Sequence, residues 1–227
     1  MTAMDIYRRI FKIWRARRFE QFVGVLKPST GDSLIDVGGE LGFWTSYPPV
    51  VGSIDLVNPK VMPVDPADHP EHGQRTRVGD GRHLADVGDE SYDIAFSNSV
   101  IEHVGTWEDQ QKFAAEMRRV GKRLWCQTPA RECPIEPHYM APFIHWLPRP
   151  LQRRLMRRFT PWGWLSKPTT ADIDFMVDTT RLLTLREMKQ LFPDCRILVE
   201  RMLLIIPKSY IAVRADAPDT AIDRPGN

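Results

Sequence analysis

The run Leu34-Ile-Asp-Val-Gly-Gly-Glu-Leu-Gly-Phe-Trp44 constrains this chain more than any other stretch. A short apolar segment delivers Asp36 directly into Gly38, Gly39 and Gly42. Glycine accepts positive φ and puts no side chain between backbone and ligand. A strand ending this way therefore predicts a sharp turn beside a bound molecule. The rhythm repeats downstream. Residues 51–57, 74–78, 92–96 and 122–127 read as strands, and 107–120 reads as a helix. Strands alternating with helical or loop crossovers predict an α/β, Rossmann-like, doubly wound sheet, mainly parallel, with seven strands and an antiparallel last one. Pro48–Pro49 stop the weak helix that begins at Phe43.

The flanks read as elaborations of one domain spanning 1–215. Residues 4–26 carry Ile6, Ile10, Ile13, Trp14, Phe22 and Leu26 at helical spacing, with arginines between them, and Pro28 and Gly31 end the pattern. This predicts an N-terminal helix (1–27) packed on the domain. Residues 129–168 break the rhythm with eight of the 19 prolines, three tryptophans and the basic run 149–158, which predicts a lid insertion over the carboxyl edge of the sheet. Thr184-x-x-Glu187 is a capping box opening a helix to Phe192. Two closing strands, 195–202 and 204–215, form a hairpin reversing through 205–209, and 216–227 read as a disordered tail.

Composition narrows the class. The 227 residues hold 31 Lys/Arg and 29 Asp/Glu, a net charge of +2, which argues against a dedicated nucleic-acid binder. The balance hides two basic pieces, because 1–27 and 131–167 each carry seven Lys/Arg against two acids. Cys126, Cys133 and Cys195 are scattered and odd in number, so neither a disulfide framework nor a cysteine zinc site is expected, and a reducing compartment fits. No apolar run approaches the ~20 residues of a membrane span, and arginines interrupt any signal-peptide pattern. The expectation is a cytoplasmic protein, with either basic helix available for a homodimer.

Three more acidic or polar strand ends follow the glycine loop: Asp55 nineteen residues after Asp36, Asp80-Gly81, and Ser97-Asn-Ser-Val-Ile-Glu-His-Val104. In this order and spacing they resemble the class I S-adenosylmethionine-dependent methyltransferases, the type 11-like branch whose fourth strand is followed by an EHV-like element. The resemblance covers 33–128 by motif and reaches Ala215 by strand order. It implies that Asp36, Gly38, Gly39, Glu40 and Gly42 lie near the methionine moiety of S-adenosylmethionine. It likewise implies that Asp55 holds the ribose, Asp80 and Gly81 the adenine edge, and Ser97 the cofactor wall. Glu40 departs from the family, which has glycine there. The same residue removes G-x-G-x-x-G and with it a nicotinamide site, and no P-loop motif is present.

Methyl transfer is an in-line displacement that needs alignment, and a hydroxyl acceptor also needs a base or a metal. His145 leads as base because apolar neighbours would keep it neutral, and His138 follows with Glu136 nearby. Glu102 and His103 at the sheet edge are further catalytic candidates. The His and carboxylate content permits Mg²⁺ or Mn²⁺, although no spacing requires a metal. Tryptophans at 44, 107, 146, 162 and 164 suit the C–H face of a sugar. The segment 134–148 is similar to lids of polysaccharide methyltransferases, and the chain looks like the 1-O-methyltransferases of methylmannose polysaccharide assembly. That implies a short, partly methylated mannoside as acceptor. The alternatives are a small-molecule O- or N-methyltransferase of secondary metabolism or quinone synthesis, and a non-catalytic RNA-associated module.

Overall fold

Alternating side chains along the central strands set the architecture. In β1 (Ser33–Val37), Leu34 faces one side with Asp36, while Ile35 and Val37 face the other, and all four are buried. The computed structural model describes residues 3–60, 73–136 and 141–216, with backbone alone for 3–12, 41 and 136. Among these, β1 joins β2 (Ser53–Asn58), β3 (Gln74–Val78), β4 (Tyr92–Asn98), β5 (Gly121–Pro129), β8 (Arg196–Met202) and β9 (Ile206–Arg214) in one sheet. The order is β3-β2-β1-β4-β5-β9-β8, and β9 alone of the seven runs opposite to the other six. The strand order reverses between β1 and β4, the place where open α/β sheets bind ligands at their carboxyl ends.

Helices cover both faces. Phe19, Phe22 and Leu26 of α1 (Ala3–Leu26) and Trp44 of α2 (Leu41–Trp44) pack on Leu34, Leu56, Phe96 and Trp125. Phe22 meets Phe96 and Trp125 edge-on at 5.2 and 5.7 Å, pairs worth ~0.5–1.5 kcal/mol each beyond burial. α1 is thus built into the core. Its end is fixed as well: the Arg123 guanidinium donates to the Leu26 carbonyl (2.8 Å) and to Asp32 (2.6 Å), and Lys27 turns left-handed. On the other face, α3 (Trp107–Val120) and α7 (Leu185–Leu191) bury Phe113, Met117, Met188 and Leu191. Thr106 and Thr184 open these helices with capping boxes.

Between β5 and α7 lie a two-residue ladder, β6 (Ile135–Glu136) with β7 (Ala141–Pro142), a 3₁₀ turn (Ile144–Trp146) and three helices. The helices are α4 (Arg149–Phe159), α5 (Pro161–Ser166) and α6 (Thr170–Thr179). They enclose a small core of their own around Met156, Ile173 and Val177. Helical structure continues past 168 because Thr169 and Asp172 form another capping box. The final hairpin reverses at Leu203–Ile205, earlier than expected. Pro207, Lys208 and Ser209 look like turn residues, but Glu200 accepts from Ser209 and pairs with Lys208 at 3.3 Å, which draws them into β9. The tail from 217 onward lies outside the described residues.

Candidate active site at the carboxyl edge of the sheet

The glycine loop leaves β1 at Gly38, whose φ is +84°. A Cβ at Gly38 would come within 2.5 Å of Val100, and one at Gly39 would overlap the Asp36 carboxylate, whereas around Gly42 there is open space. The loop is therefore tight on its protein side and roomy further along. Asp36 is 1% exposed. The Trp44 indole N–H donates to its Oδ2 at 2.7 Å, and Oδ1 has no hydrogen-bond partner among the described residues. Burial pushes this carboxyl up to about 7, against the Trp44 bond and with help from the Glu40 charge. A buried carboxylate oxygen beside a glycine loop suits a cationic group. These features fit the methionine end of S-adenosylmethionine. Gly39→Ala is expected to displace Asp36 and weaken cofactor binding by about tenfold or more, read by calorimetric titration with S-adenosylmethionine.

The other cofactor expectations divide. Ser97 is buried and donates to the Val37 carbonyl at 2.9 Å, which ties β4 to the root of the loop. Asp80 follows β3 at the carboxyl edge and is held by Arg82, whose hydrogen bonds lower its pKa. A Cβ on Gly81 would collide with Val37 and Phe113, so this glycine serves close packing. Asp55 corrects the sequence expectation. It is the third of six residues in β2 and accepts from the Tyr92 hydroxyl, in an open cleft with Arg75, Arg77 and Asp86. The strand continues three residues beyond it, because Leu56 and Val57 pair with Asp36 and Val37. The residue at the end of β2 is Asn58, whose side-chain amide donates to the Gly39 carbonyl at 2.5 Å.

The candidate bases also separate. Val100 rests on Gly38, so the 3₁₀ turn Ile101–His103 sits against the glycine loop. Glu102 in that turn is fully buried and accepts from Thr128 at 2.9 Å, which makes it a strut between the turn and β5. Half-buried His103 lies beside Thr180, with Nδ1 and Oγ1 3.5 Å apart. His145 is held at the other side of β5, its Nε2 3.0 Å from the Arg131 carbonyl. A carbonyl only accepts, so neutral His145 carries its proton on Nε2 and its lone pair on Nδ1, which is buried. The basic nitrogen of His145 is thus turned away from solvent. His138 lies outside the described residues, as does the side chain of Glu136. No group of three His, Cys, Asp or Glu residues that could hold a metal ion occurs among the described residues.

Sequence reasoning missed a polar network on the same edge. The Arg18 guanidinium donates to Asn98 Oδ1 (3.0 Å), Gln127 Oε1 (2.9 Å) and Glu200 Oε2 (2.9 Å). Ser99 donates to Gln127, and Lys208 reaches Glu200 while lying over the Trp14 ring. Asn98 ends β4 and pairs in register with Gln127, two residues before the end of β5. The partners 182 residues apart, Arg18 and Glu200, had no sequence signal. Burial alone would raise the Glu200 carboxyl, but Arg18 and Lys208 overcome it and hold it at about 2. With the folded pKa depressed, this stabilisation is present above the ordinary value near 4.5 and is lost as pH falls through 2. Glu200→Gln is expected to cost about 3 kcal/mol at pH 7 and almost nothing near pH 2, measured by urea unfolding at both.

Comparison with known proteins agrees with this fold. Residues 44–123 match the family model described as a methyltransferase domain. No curated protein matches the chain. Among solved structures, the methyltransferase domain of bacterial CtHen1-CN is 15% identical, covers 86% of this chain and 96% of its own, and superposes with a TM-score of 0.50. The PH0226 protein from Pyrococcus horikoshii is 14% identical, with 88% and 89% covered and a TM-score of 0.52. These likenesses concern the fold. The family match supports a methyltransferase. No helix among the described residues is long and apolar enough to cross a membrane.

Proposed function

We propose that the acceptor is a sugar hydroxyl, that of a short mannoside being the first to test, and that His103 is the base that receives its proton. The polar character of the carboxyl edge carries this reading. Asn98, Ser99, Gln127, Arg18 and Glu200 crowd the strand ends beside the glycine loop. A polyhydroxylated acceptor can exchange hydrogen bonds with such groups, whereas an apolar quinone-like acceptor finds no apolar surface to cover in a network already bonded to itself. Phe143 and Trp146, both exposed and 5.3 Å apart, add an aromatic platform suited to the C–H face of a sugar.

Asp36 and the Gly38–Gly39 turn would hold the charged methionine end, with Asn58 at the end of β2 placed toward the ribose and the Asp80–Gly81 loop toward the base. Bound S-adenosylmethionine supplies an electrophilic methyl group on a sulfonium. The chain's part is to align the acceptor oxygen and remove its proton. With Nδ1 facing the Thr180 hydroxyl, His103 would receive that proton at Nε2. The deciding assay incubates the chain and S-adenosylmethionine with defined mannosides, with and without Mg²⁺, and follows S-adenosylhomocysteine by mass spectrometry. A new methyl on a sugar oxygen is expected. Turnover only on lipophilic phenols or amines would overturn the sugar reading, and activity that disappears on chelation would add a metal to the site.

A further inference from the structure

The corner between α4 and α5 is built unlike the rest of the surface. Residues 149–167 contain six Lys/Arg and no acid. Arg149 and Arg153 are neutralised by Asp178 and Asp174 of α6, which leaves Arg154, Arg157, Arg158 and Lys167 exposed around the corner. Set among these cations are Phe159, Trp164 and Leu165, which are 65, 62 and 53% exposed. The display is held rigidly. Thr160 caps α5 and bonds back to the Met156 carbonyl, and a Cβ at Gly163 would overlap the Met156 and Arg157 carbonyls, so the helices meet at the closest possible distance. The Trp164 indole N–H is satisfied by the Arg158 carbonyl at 2.7 Å. An indole whose only polar group is already bonded presents a wholly apolar edge.

We infer that this corner docks the protein on an anionic lipid bilayer, with Phe159, Trp164 and Leu165 entering the headgroup region and the surrounding arginines meeting lipid phosphates. A cluster of large apolar side chains exposed to water needs a reason, and the pairing of aromatic residues with cations that have no ion-pair partner among the described residues is the chemistry of a membrane interface. A purely phosphate-directed surface such as one for RNA would use the cations and have no need of Phe159 or Leu165. The inference does not depend on which acceptor the enzyme methylates.

The test is cosedimentation of the full chain with vesicles of phosphatidylcholine alone and of phosphatidylcholine with about one third phosphatidylglycerol, a composition giving a strongly negative surface. Binding is expected to the anionic vesicles only and to weaken with salt. Phe159→Ser with Leu165→Ser is expected to lower it about tenfold or more, as is Arg157→Gln with Arg158→Gln, all with unchanged melting temperature and S-adenosylmethionine binding. Leu204→Ser, at the exposed tip of the β8–β9 turn, is the control expected to bind normally. No binding to anionic vesicles overturns the inference. So does binding that survives the Phe159 and Leu165 changes, or a preference for polyuridylate that the arginine changes alone abolish.

Discussion

Asp36→Asn makes the protein more stable above pH 7 and weakens its hold on S-adenosylmethionine. The carboxyl is buried, has one hydrogen bond for two oxygens, and titrates at about 7, where the unfolded chain loses that proton near 3.8. Between these values the folded state keeps a proton that the unfolded state has released. The protonated carboxyl is thus compatible with folding at low pH, and stability declines as pH rises from about 3.8 to about 7 and levels off above that. A displacement of this size corresponds to about 4 kcal/mol when complete. Asparagine keeps an acceptor for the Trp44 indole and brings no charge inside. Scanning calorimetry at pH 5.5 and 8.5 is expected to show a wild-type loss at the higher pH that the variant lacks. Titration with S-adenosylmethionine is expected to show affinity reduced about tenfold or more, since the partner of a cationic ligand is gone. A variant that is less stable at pH 8.5 and binds the cofactor normally would make Asp36 a purely structural residue.

This opposition between stability and binding explains why the glycine loop was the most legible part of the chain. Sequence patterns report local demands, and Asp36 with Gly38 and Gly39 is a local demand: strand, turn and carboxylate lie within four residues. The bounds of β3 and α3 and the capping box at Thr184 were legible for the same reason. Asp55 failed because strand register is not local. Where β2 ends depends on its pairing with β1, and that pairing puts Asn58, not Asp55, beside Gly39. The two strands of the final hairpin were legible, but its reversal was misplaced, in the opposite sense. Leu203 and Leu204 adopt positive φ, which sequence rules reserve for glycine and asparagine, because Glu200 holds the more turn-like residues 207–209 in the strand. The Arg18–Glu200 network has its partners at opposite ends of the chain and could be found only by folding it.

The same reasoning sorts the histidines, and His103→Ala is expected to lower kcat by about 10²–10⁴-fold, the usual contribution of a positioned base, while leaving S-adenosylmethionine affinity unchanged. Local sequence favoured His145, whose apolar neighbours would keep it neutral, but its bond to the Arg131 carbonyl leaves it with a buried lone pair. His103 stands in the turn that touches the glycine loop, with Thr180 at its Nδ1 side. His145→Ala is therefore expected to change kcat only a few-fold. Thr180→Val supplies the readout that separates positioning from catalysis. Losing the hydroxyl frees the ring to rotate and exchange tautomers, so kcat falls by less than in His103→Ala and the acid limb of the rate–pH profile moves, while the profile of His103→Ala loses that limb altogether. Steady-state rates of the three variants against one mannoside, each measured from pH 5.5 to 9, decide the matter: a larger loss in His145→Ala than in His103→Ala would move the base from the sheet edge to the segment that follows β5.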